Sequence, residues 1–141
     1  MSELHDIADE VKEIFKSQKI SKYHCVIFDI DDTLINTYSG RVIEPMKELY
    51  NFFVRKGIRV YILTARDPYY RFSTEDQLGR NGINQYKELF MVGNTSKGRE
   101  KRMVRKMIES KGYKILFNIG DSDSDFEGGH SLYKVKIPRL H

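Results

Sequence analysis

Short apolar runs alternate with amphipathic segments along this chain, and this alternation limits its fold more than any other feature. The apolar, β-prone runs lie at residues 23–28, 58–63, 89–92, 114–119 and 133–137. Strands that are separated by helices pair in parallel, because the helix returns the chain to the same end of the sheet. The sequence therefore predicts an α/β fold of three layers, Rossmann-like, on a mostly parallel five-stranded sheet.

Four helices are expected, one before the first strand and three between strands. They are placed at residues 4–16, from Pro45 to the residue before Gly57, at residues 68–80, and from a cap at Thr95 or Ser96 to Ser110. A length of 141 residues is enough for one domain with a full core. We predict a single domain over residues 1–141, with an N-terminal amphipathic helix within residues 1–20 and the core within residues 22–138.

Composition excludes several classes of protein. The chain is 40% hydrophobic and 31% charged, and no apolar run approaches the roughly 18 residues that a membrane helix needs. Its first residues are acidic and amphipathic, unlike a signal peptide. The only cysteine, Cys25, lies in a predicted strand, so no internal disulfide can form. We expect a cytoplasmic protein that does not enter a membrane.

The first strand runs directly into three carboxylates within four positions, Asp29, Asp31 and Asp32. Carboxylates at a strand end are costly to bury unless they are paired, hydrogen-bonded or bound to a metal. Two interpretations follow from the residues alone. The segment is either a functional site or a solvated turn, since Asp-Asp-Thr is also good turn chemistry.

Polar residues also follow the second and fourth strands: Thr64 and Arg66 after one, Asp121 and Asp125 after the other. The carboxyl ends of parallel strands meet at one edge of the sheet, where ligands bind in open α/β folds. Several carboxylates at this edge would form a hard-oxygen site suited to Mg²⁺. With a threonine hydroxyl and a lysine from the next helix, such a site has the groups that phosphoryl transfer needs.

The charge of the chain favours an anionic partner. Its net charge is +4 with a pI near 9.1, and eight lysines and arginines lie within residues 97–114. This segment is interpreted either as a surface for phosphate esters or nucleic acid, or as a solvated helix face.

Together these motifs resemble those of the haloacid dehalogenase (HAD) phosphohydrolase superfamily. The four motifs are residues 29–34, Thr64, a later lysine, and Gly120-Asp121 with Asp125, each after a predicted strand. The DxDxT acid phosphatase-like group is the most similar, since it also shows Gly112-Tyr113-x-Ile115, Gly128-Gly129 and Lys136-x-Pro138. The resemblance covers about residues 22–138 and implies a HAD-type fold.

The resemblance implies a role for each acidic position. Asp29 would be the nucleophile and a Mg²⁺ ligand, and Asp31 the general acid/base with its backbone carbonyl on the metal. Asp121 would be a further ligand, and Asp125 would hold the metal's waters or the lysine. Asp32 is expected to point away from the site.

The remaining groups are assigned in the same way. Thr64 would bind the phosphoryl oxygens, and Arg66 would contact the substrate phosphate or form a surface ion pair. Lys101 is preferred to Lys97 as the motif lysine, because Arg105 follows Lys101 at the family's spacing of four.

No insertion large enough for a cap domain is found between the motifs, so the cleft is expected to be open. It would admit a phosphorylated small molecule, protein or nucleic-acid end, unless a homo-oligomer covers it. The prediction is a Mg²⁺-dependent phosphomonoesterase that forms a phosphoaspartyl intermediate on Asp29. The alternatives are a nucleic-acid 3′-end phosphatase and a receiver-like signalling module, the latter disfavoured because the third strand ends without a carboxylate.

Overall fold

A computed structural model describes residues 3–93 and 97–140. Its strands are β1 (His24–Phe28), β2 (Arg59–Thr64), β3 (Glu88–Met91), β4 (Lys114–Gly120) and β5 (Tyr133–Lys136). Its helices are α1 (Glu3–Ser17), α2 (Glu44–Arg55), α3 (Arg71–Arg80) and α4 (Lys97–Ser110), with 3₁₀ turns at Pro68–Tyr70 and Asp123–Asp125. The strands form one sheet in the order β3-β2-β1-β4-β5, and all pairs are parallel. The predicted α/β fold with a five-stranded sheet is therefore confirmed.

The register of the central strands places their carboxyl ends side by side. Phe28, the last residue of β1, pairs with Ile62 of β2 and Ile119 of β4. The residues that follow these strands therefore emerge at one edge, as the topology predicted. The β1–α2 and β2–α3 connections, residues 29–43 and 65–70, hold no additional domain.

The two faces of the sheet are covered unequally. Residues of α1, α2 and α3 pack on one face in a large core, which is centred on the aromatic ring of Phe53. This ring contacts the rings of Phe15, Phe28, Phe52 and Phe117 at centroid distances of 5.6 to 6.1 Å. Among the described helices, α4 alone packs on the opposite face, with Ile108 against Cys25 and Ile27.

A bulge in β4 determines which of its side chains pack on each face of the sheet. Cys25 pairs with Ile115, but the next residue of β1, Val26, pairs with Phe117. The extra residue, Leu116, reverses the alternation of faces. As a result Ile115 packs toward α4, while Phe117 belongs to the larger core.

The ends of the strands differ from the expected ones by one residue. The second strand begins at Arg59 because the N–H of Ile58 bonds the carbonyl of Phe53 in the turn after α2 (3.2 Å). Residues 68–80 are helical, but their first three form a 3₁₀ turn. The expected cap at Thr95 or Ser96 lies outside the described residues. Within those residues, no helix has the length and apolarity needed to cross a bilayer.

The aromatic centre of the core provides a test of stability. Phe53→Ala is expected to lower the free energy of unfolding by about 3–5 kcal/mol, because it leaves a cavity among four rings. Phe72, whose side chain is 85% exposed, gives the matched control, and Phe72→Ala should change the value by less than about 0.5 kcal/mol. Urea denaturation measures both, and similar effects of the two substitutions would contradict this account of the core.

Candidate active site

The Asp29 carboxyl group lies buried where β1 ends. The N–H of Asp29 still bonds the carbonyl of Ile119 (2.9 Å), so the residue is held by the sheet although it is past the strand. Its residue surface is only 7% exposed. A buried carboxylate at this position needs compensation from a nearby cation.

The next turns separate the three aspartates. Asp32 adopts a left-handed backbone conformation (φ 57°), and its carboxylate accepts hydrogen bonds from the N–H and hydroxyl groups of Thr37 (both 3.0 Å). The Asp31 side chain is 42% exposed and faces Arg66 instead. Asp32 was expected to point away from the site; its carboxylate faces Thr37, but the residue still lines the same cleft as Asp29 and Asp31.

Lys101 supplies the cation that compensates Asp29. Its ammonium group lies 3.3 Å from Asp29 Oδ1 and 2.5 Å from Asp125 Oδ1, and the residue is 2% exposed. The structure thus brings Lys101 into the carboxylate cluster, as its spacing to Arg105 predicted. The side chain of the alternative, Lys97, lies outside the described residues.

Asp125 is fixed by the turn in which it lies. Its second oxygen, Oδ2, accepts from the N–H of Ser122 (3.0 Å), and its carbonyl accepts from Nδ2 of Asn118 (2.7 Å). A Cβ at Gly120 would collide with the Asp125 carboxylate, so only glycine fits there. The role of Asn118 escaped the sequence reasoning, although a polar residue within the apolar run of residues 114–119 is a readable signal.

Arg105 holds the loop that follows Asp125. It is completely buried, and its guanidinium donates to the carbonyls of Glu127 and Gly129. Lys101 and Arg105 are therefore not part of a solvated basic face, whereas Arg99, Arg102 and Lys106 on the same helix are exposed. The basic segment therefore divides into buried cations and surface charges.

Three carboxylates of the site lie unusually close together. One oxygen each of Asp29, Asp121 and Asp125 lies within 4.8 Å of the others. Burial, aided by Asp125 and Asp121, raises the pKa of Asp29 well above its ordinary value despite the opposing charge of Lys101. Burial also raises the pKa of Asp121. Burial opposes the Lys101 ammonium, but Asp29 and Asp125 outweigh this effect and raise its pKa.

These charges fit a divalent cation. Three ionised carboxylates and one ammonium leave a net charge of −2, and hard oxygen ligands at this spacing suit Mg²⁺ more than a softer metal. Burial is the largest cause of the raised pKa of both Asp29 and Asp121, and a cation bound among these carboxylates would favour their ionised forms.

Thr64 lies at the same edge but does not line the cleft. It is completely buried at the end of β2, and its hydroxyl oxygen accepts from the N–H of Arg66 (3.1 Å). A threonine hydroxyl that accepts in this way can still donate its own proton. Ala65, the next residue, is the one that lines the cleft, and the contact of Thr64 with a phosphoryl group stays a prediction.

Arg66 forms the ion pair that was one of its two expected roles. Its guanidinium contacts both carboxylate oxygens of Asp31, at 2.8 and 3.2 Å. Its contact with a substrate phosphate stays a prediction.

The cleft itself has a volume of about 610 Å³ and is open to solvent. Its walls come from the segments after β1, β2 and β4 and from α3 and α4, and include Asp31, Arg66, Thr74, Lys101 and Asp121. Of the three aromatic residues that follow the second motif, Tyr70 lines the cleft, while Tyr69 and Phe72 are both 85% exposed. Neither of these two packs against the sheet.

Two solved structures share this fold. The class C acid phosphatase from Bacillus anthracis superposes with a TM-score of 0.69 at 17% identity, over 89% of this chain and 62% of that one. The same enzyme with tungstate bound gives a TM-score of 0.70 at 18% identity over the same shares. The fold is thus that of the class C acid phosphatases.

Sequence comparisons then identify the family. The family model for HAD superfamily, subfamily IIIB (acid phosphatase) matches residues 36–138, and the chain belongs to this family. The match begins after the aspartates of residues 29–32, so their assignment depends on the geometry described above.

Two curated proteins are similar over much of the chain. Acid phosphatase 1 of Solanum lycopersicum is 24% identical over 96% of this chain and 66% of its own length. Vegetative storage protein 2 of Arabidopsis thaliana is 30% identical over 70% of this chain and 48% of its own length. The chain therefore spans about half to two thirds of the length of these relatives.

The carboxylate cluster predicts a specific dependence of stability on pH. A carboxyl group with a raised pKa in the folded chain binds more protons when folded, so its contribution to stability is lost as the pH rises through the folded value. With a chelator present, raising the pH from about 5 to about 8 should therefore lower the melting temperature of the wild type more than that of Asp121→Asn. Equal pH dependence of the two proteins would contradict the raised pKa values on which the prediction rests.

The wild type and Asp121→Asn also test whether the carboxylate cluster binds a divalent cation. Mg²⁺ at a hundred times its dissociation constant should stabilise the wild type at neutral pH by about 2.7 kcal/mol. Asp121→Asn should show little of this stabilisation, because it removes one charged ligand. Thermal denaturation with and without Mg²⁺ measures the effect, and Asp76→Asn on the exposed face of α3 is the control that should respond like the wild type.

Proposed function

We propose that this protein is a Mg²⁺-dependent phosphomonoesterase that acts through a phosphoaspartyl intermediate on Asp29. The observation that carries the proposal is the position of Asp29: a buried carboxylate 3.3 Å from the Lys101 ammonium, in a cluster with Asp121 and Asp125 at the floor of an open cleft. Membership of an acid phosphatase family supports the same activity. A small phosphorylated molecule is the proposed substrate, and the cytoplasm the proposed location.

The proposed reaction has two steps with Asp29 as nucleophile. An Asp29 oxygen forms a bond to phosphorus as the bond from phosphorus to the ester oxygen breaks, and Asp31 donates its proton to that leaving oxygen. Water then attacks phosphorus and gives a proton to Asp31. The bond between phosphorus and Asp29 breaks, so that inorganic phosphate leaves and both aspartates return to their starting states.

The cation would be held by residues that already lie together. The carboxylates of Asp29 and Asp121 and the backbone carbonyl of Asp31 would be its ligands, with Asp125 as a further ligand or as a holder of its waters. When bound, Mg²⁺ would neutralise negative charge on the phosphoryl oxygens. The ammonium of Lys101 would then share its charge between the nucleophile and the phosphoryl group.

The remaining groups would orient the phosphoryl oxygens. Thr64 would donate its hydroxyl proton, and the backbone N–H of Ala65, at the wall of the cleft, would donate a second hydrogen bond. Donors fixed before the substrate arrives stabilise the developing charge without reorganisation during the reaction.

Substitution of the proposed nucleophile is the direct test. Asp29→Asn should lower turnover of p-nitrophenyl phosphate by at least about 10³-fold, since an amide cannot form the phosphoaspartyl bond. Asp76→Asn, an isosteric change at an exposed residue that does not line the cleft, should keep the activity of the wild type. Comparable activity of Asp29→Asn and the wild type in clean preparations would refute the proposal.

A second comparison decides between the two candidate lysines. Lys101→Met should lower kcat by about 10²–10³-fold, because it removes a fixed positive charge beside the reacting group. Lys97→Met should retain kcat close to that of the wild type. The assignment of Lys101 would be wrong if the two effects were reversed in steady-state assays of p-nitrophenyl phosphate.

A further inference from the structure

We propose that Arg66 is a positioning residue, anchored by Gln77 and Thr74 of α3, that holds the Asp31 carboxyl group in the direction needed to exchange a proton with the leaving oxygen. The inference rests on the proposed function, in which Asp31 is the general acid and base. It assigns Arg66 to Asp31 rather than to the substrate phosphate. It also makes Gln77, which does not line the cleft, important for catalysis.

The contact between Arg66 and Asp31 fixes both carboxylate oxygens. Nη2 donates to Oδ1 at 2.8 Å and Nε donates to Oδ2 at 3.2 Å. A planar guanidinium that binds both oxygens fixes the orientation of the carboxyl plane as well as its position. This matters because the Asp31 side chain is 42% exposed, and an exposed carboxylate without such a partner can rotate freely.

The other side of the guanidinium is held by α3. Nη1 donates to Oε1 of Gln77 at 2.8 Å and to the hydroxyl of the buried Thr74 at 3.3 Å. The backbone N–H of Arg66 bonds the hydroxyl of Thr64 (3.1 Å). Backbone and side chain of Arg66 are therefore both fixed, and the side chain is only 21% exposed.

These contacts leave the guanidinium poorly placed to bind phosphate. Its Nε, Nη1 and Nη2 atoms already donate to protein oxygens, so turning toward a phosphate would sacrifice several charge-assisted hydrogen bonds. Its charge is also balanced by the Asp31 carboxylate. Lys101 forms an ion pair with the other proposed catalytic aspartate, Asp29. Each of the two aspartates therefore has its own cation.

Gln77 also connects Arg66 to the loop between β1 and α2. Its Nε2 donates to the carbonyl of Gly40 (3.1 Å), in the loop between β1 and α2. Asn81, just after α3, accepts from the N–H of Val42 in the same loop (3.0 Å). The end of α3 therefore supports both Arg66 and the loop that follows the aspartates.

The test compares phosphate esters whose leaving groups differ in their need for a proton. An alkyl oxide must be protonated as it leaves, whereas p-nitrophenolate is stable as an anion. If Arg66 positions the general acid, Gln77→Leu and Arg66→Lys should lower kcat/KM for an alkyl phosphate by about 10–100-fold. The same variants should change kcat/KM for p-nitrophenyl phosphate by less than about threefold, because that reaction needs little general-acid assistance.

The second chemical step gives an independent readout. A misplaced Asp31 also activates water poorly, so the phosphoenzyme should accumulate. Rapid mixing of p-nitrophenyl phosphate with either variant should then show a burst of p-nitrophenol followed by slower turnover. A merely structural loss of folded protein would lower the amplitude for all substrates alike and would not change their ratio.

Arg80→Gln is the matched control, since Arg80 lies on α3 with a side chain that is 79% exposed; it should keep the substrate ratio of the wild type. An equal loss of kcat/KM on both esters, with a raised KM, would overturn the inference and assign Arg66 to the phosphate. Gln77→Leu leaves the arginine in place, so unchanged ratios in that folded variant would also overturn it. Failure of the proposed function is distinguished by an inactive wild type or an active Asp29→Asn.

Discussion

The Lys101 ammonium between Asp29 and Asp125 is the interaction on which the rest of the site depends. Three carboxylates within 4.8 Å repel one another, and burial increases this repulsion. The lysine offsets part of it and also joins α4 to the ends of β1 and β4. Neighbouring residues hold Asp125 in place for this ion pair. Gly120 leaves space for its carboxylate, and hydrogen bonds from Asn118 and Ser122 fix its turn.

The two proposed catalytic aspartates are two residues apart but have different surroundings. Asp29 is buried and faces a lysine carried by α4, whereas Asp31 is half-exposed and faces an arginine supported by α3. Two carboxyl groups in distinct environments can perform distinct tasks, one as nucleophile and the other as proton carrier. The third aspartate, Asp32, has a left-handed backbone conformation, and its carboxylate accepts hydrogen bonds from Thr37.

Much of this arrangement could be predicted from the sequence, and the reason is topological. Alternating strands and helices determine a parallel sheet. A parallel sheet brings the residues after β1, β2 and β4 to one edge, whatever the identity of those residues. The spacing of Lys101 and Arg105 led to the choice of Lys101, which the structure places beside Asp29 and Asp125; its role as the motif lysine stays a prediction. The strand ends were placed within one residue, where backbone hydrogen bonds of turns compete with those of the sheet.

Other features were beyond the reach of the sequence. The bulge at Leu116 depends on how two strands fit together, which no local pattern records. The partner of Arg66 depends on where α3 packs, because Thr74 and Gln77 decide the direction of the guanidinium. The burial of Thr64 likewise depends on tertiary packing around the end of β2, where the residue pairs with Met91 of β3.

Because the two faces of the sheet are covered unequally, the protein is expected to unfold locally before it unfolds as a whole. On one face the described helices α1, α2 and α3 share a continuous core, but the other face relies on α4, which also carries Lys101 and Arg105. Proteins open in cooperative units of different stability, and a lone helix on a small apolar patch belongs to the weaker ones. Partial opening of α4 would withdraw the lysine and release the loop after Asp125 while most of the sheet remains intact. Loss of the proposed activity would then precede unfolding, and the lifetime of the intact site would be set by the attachment of one helix.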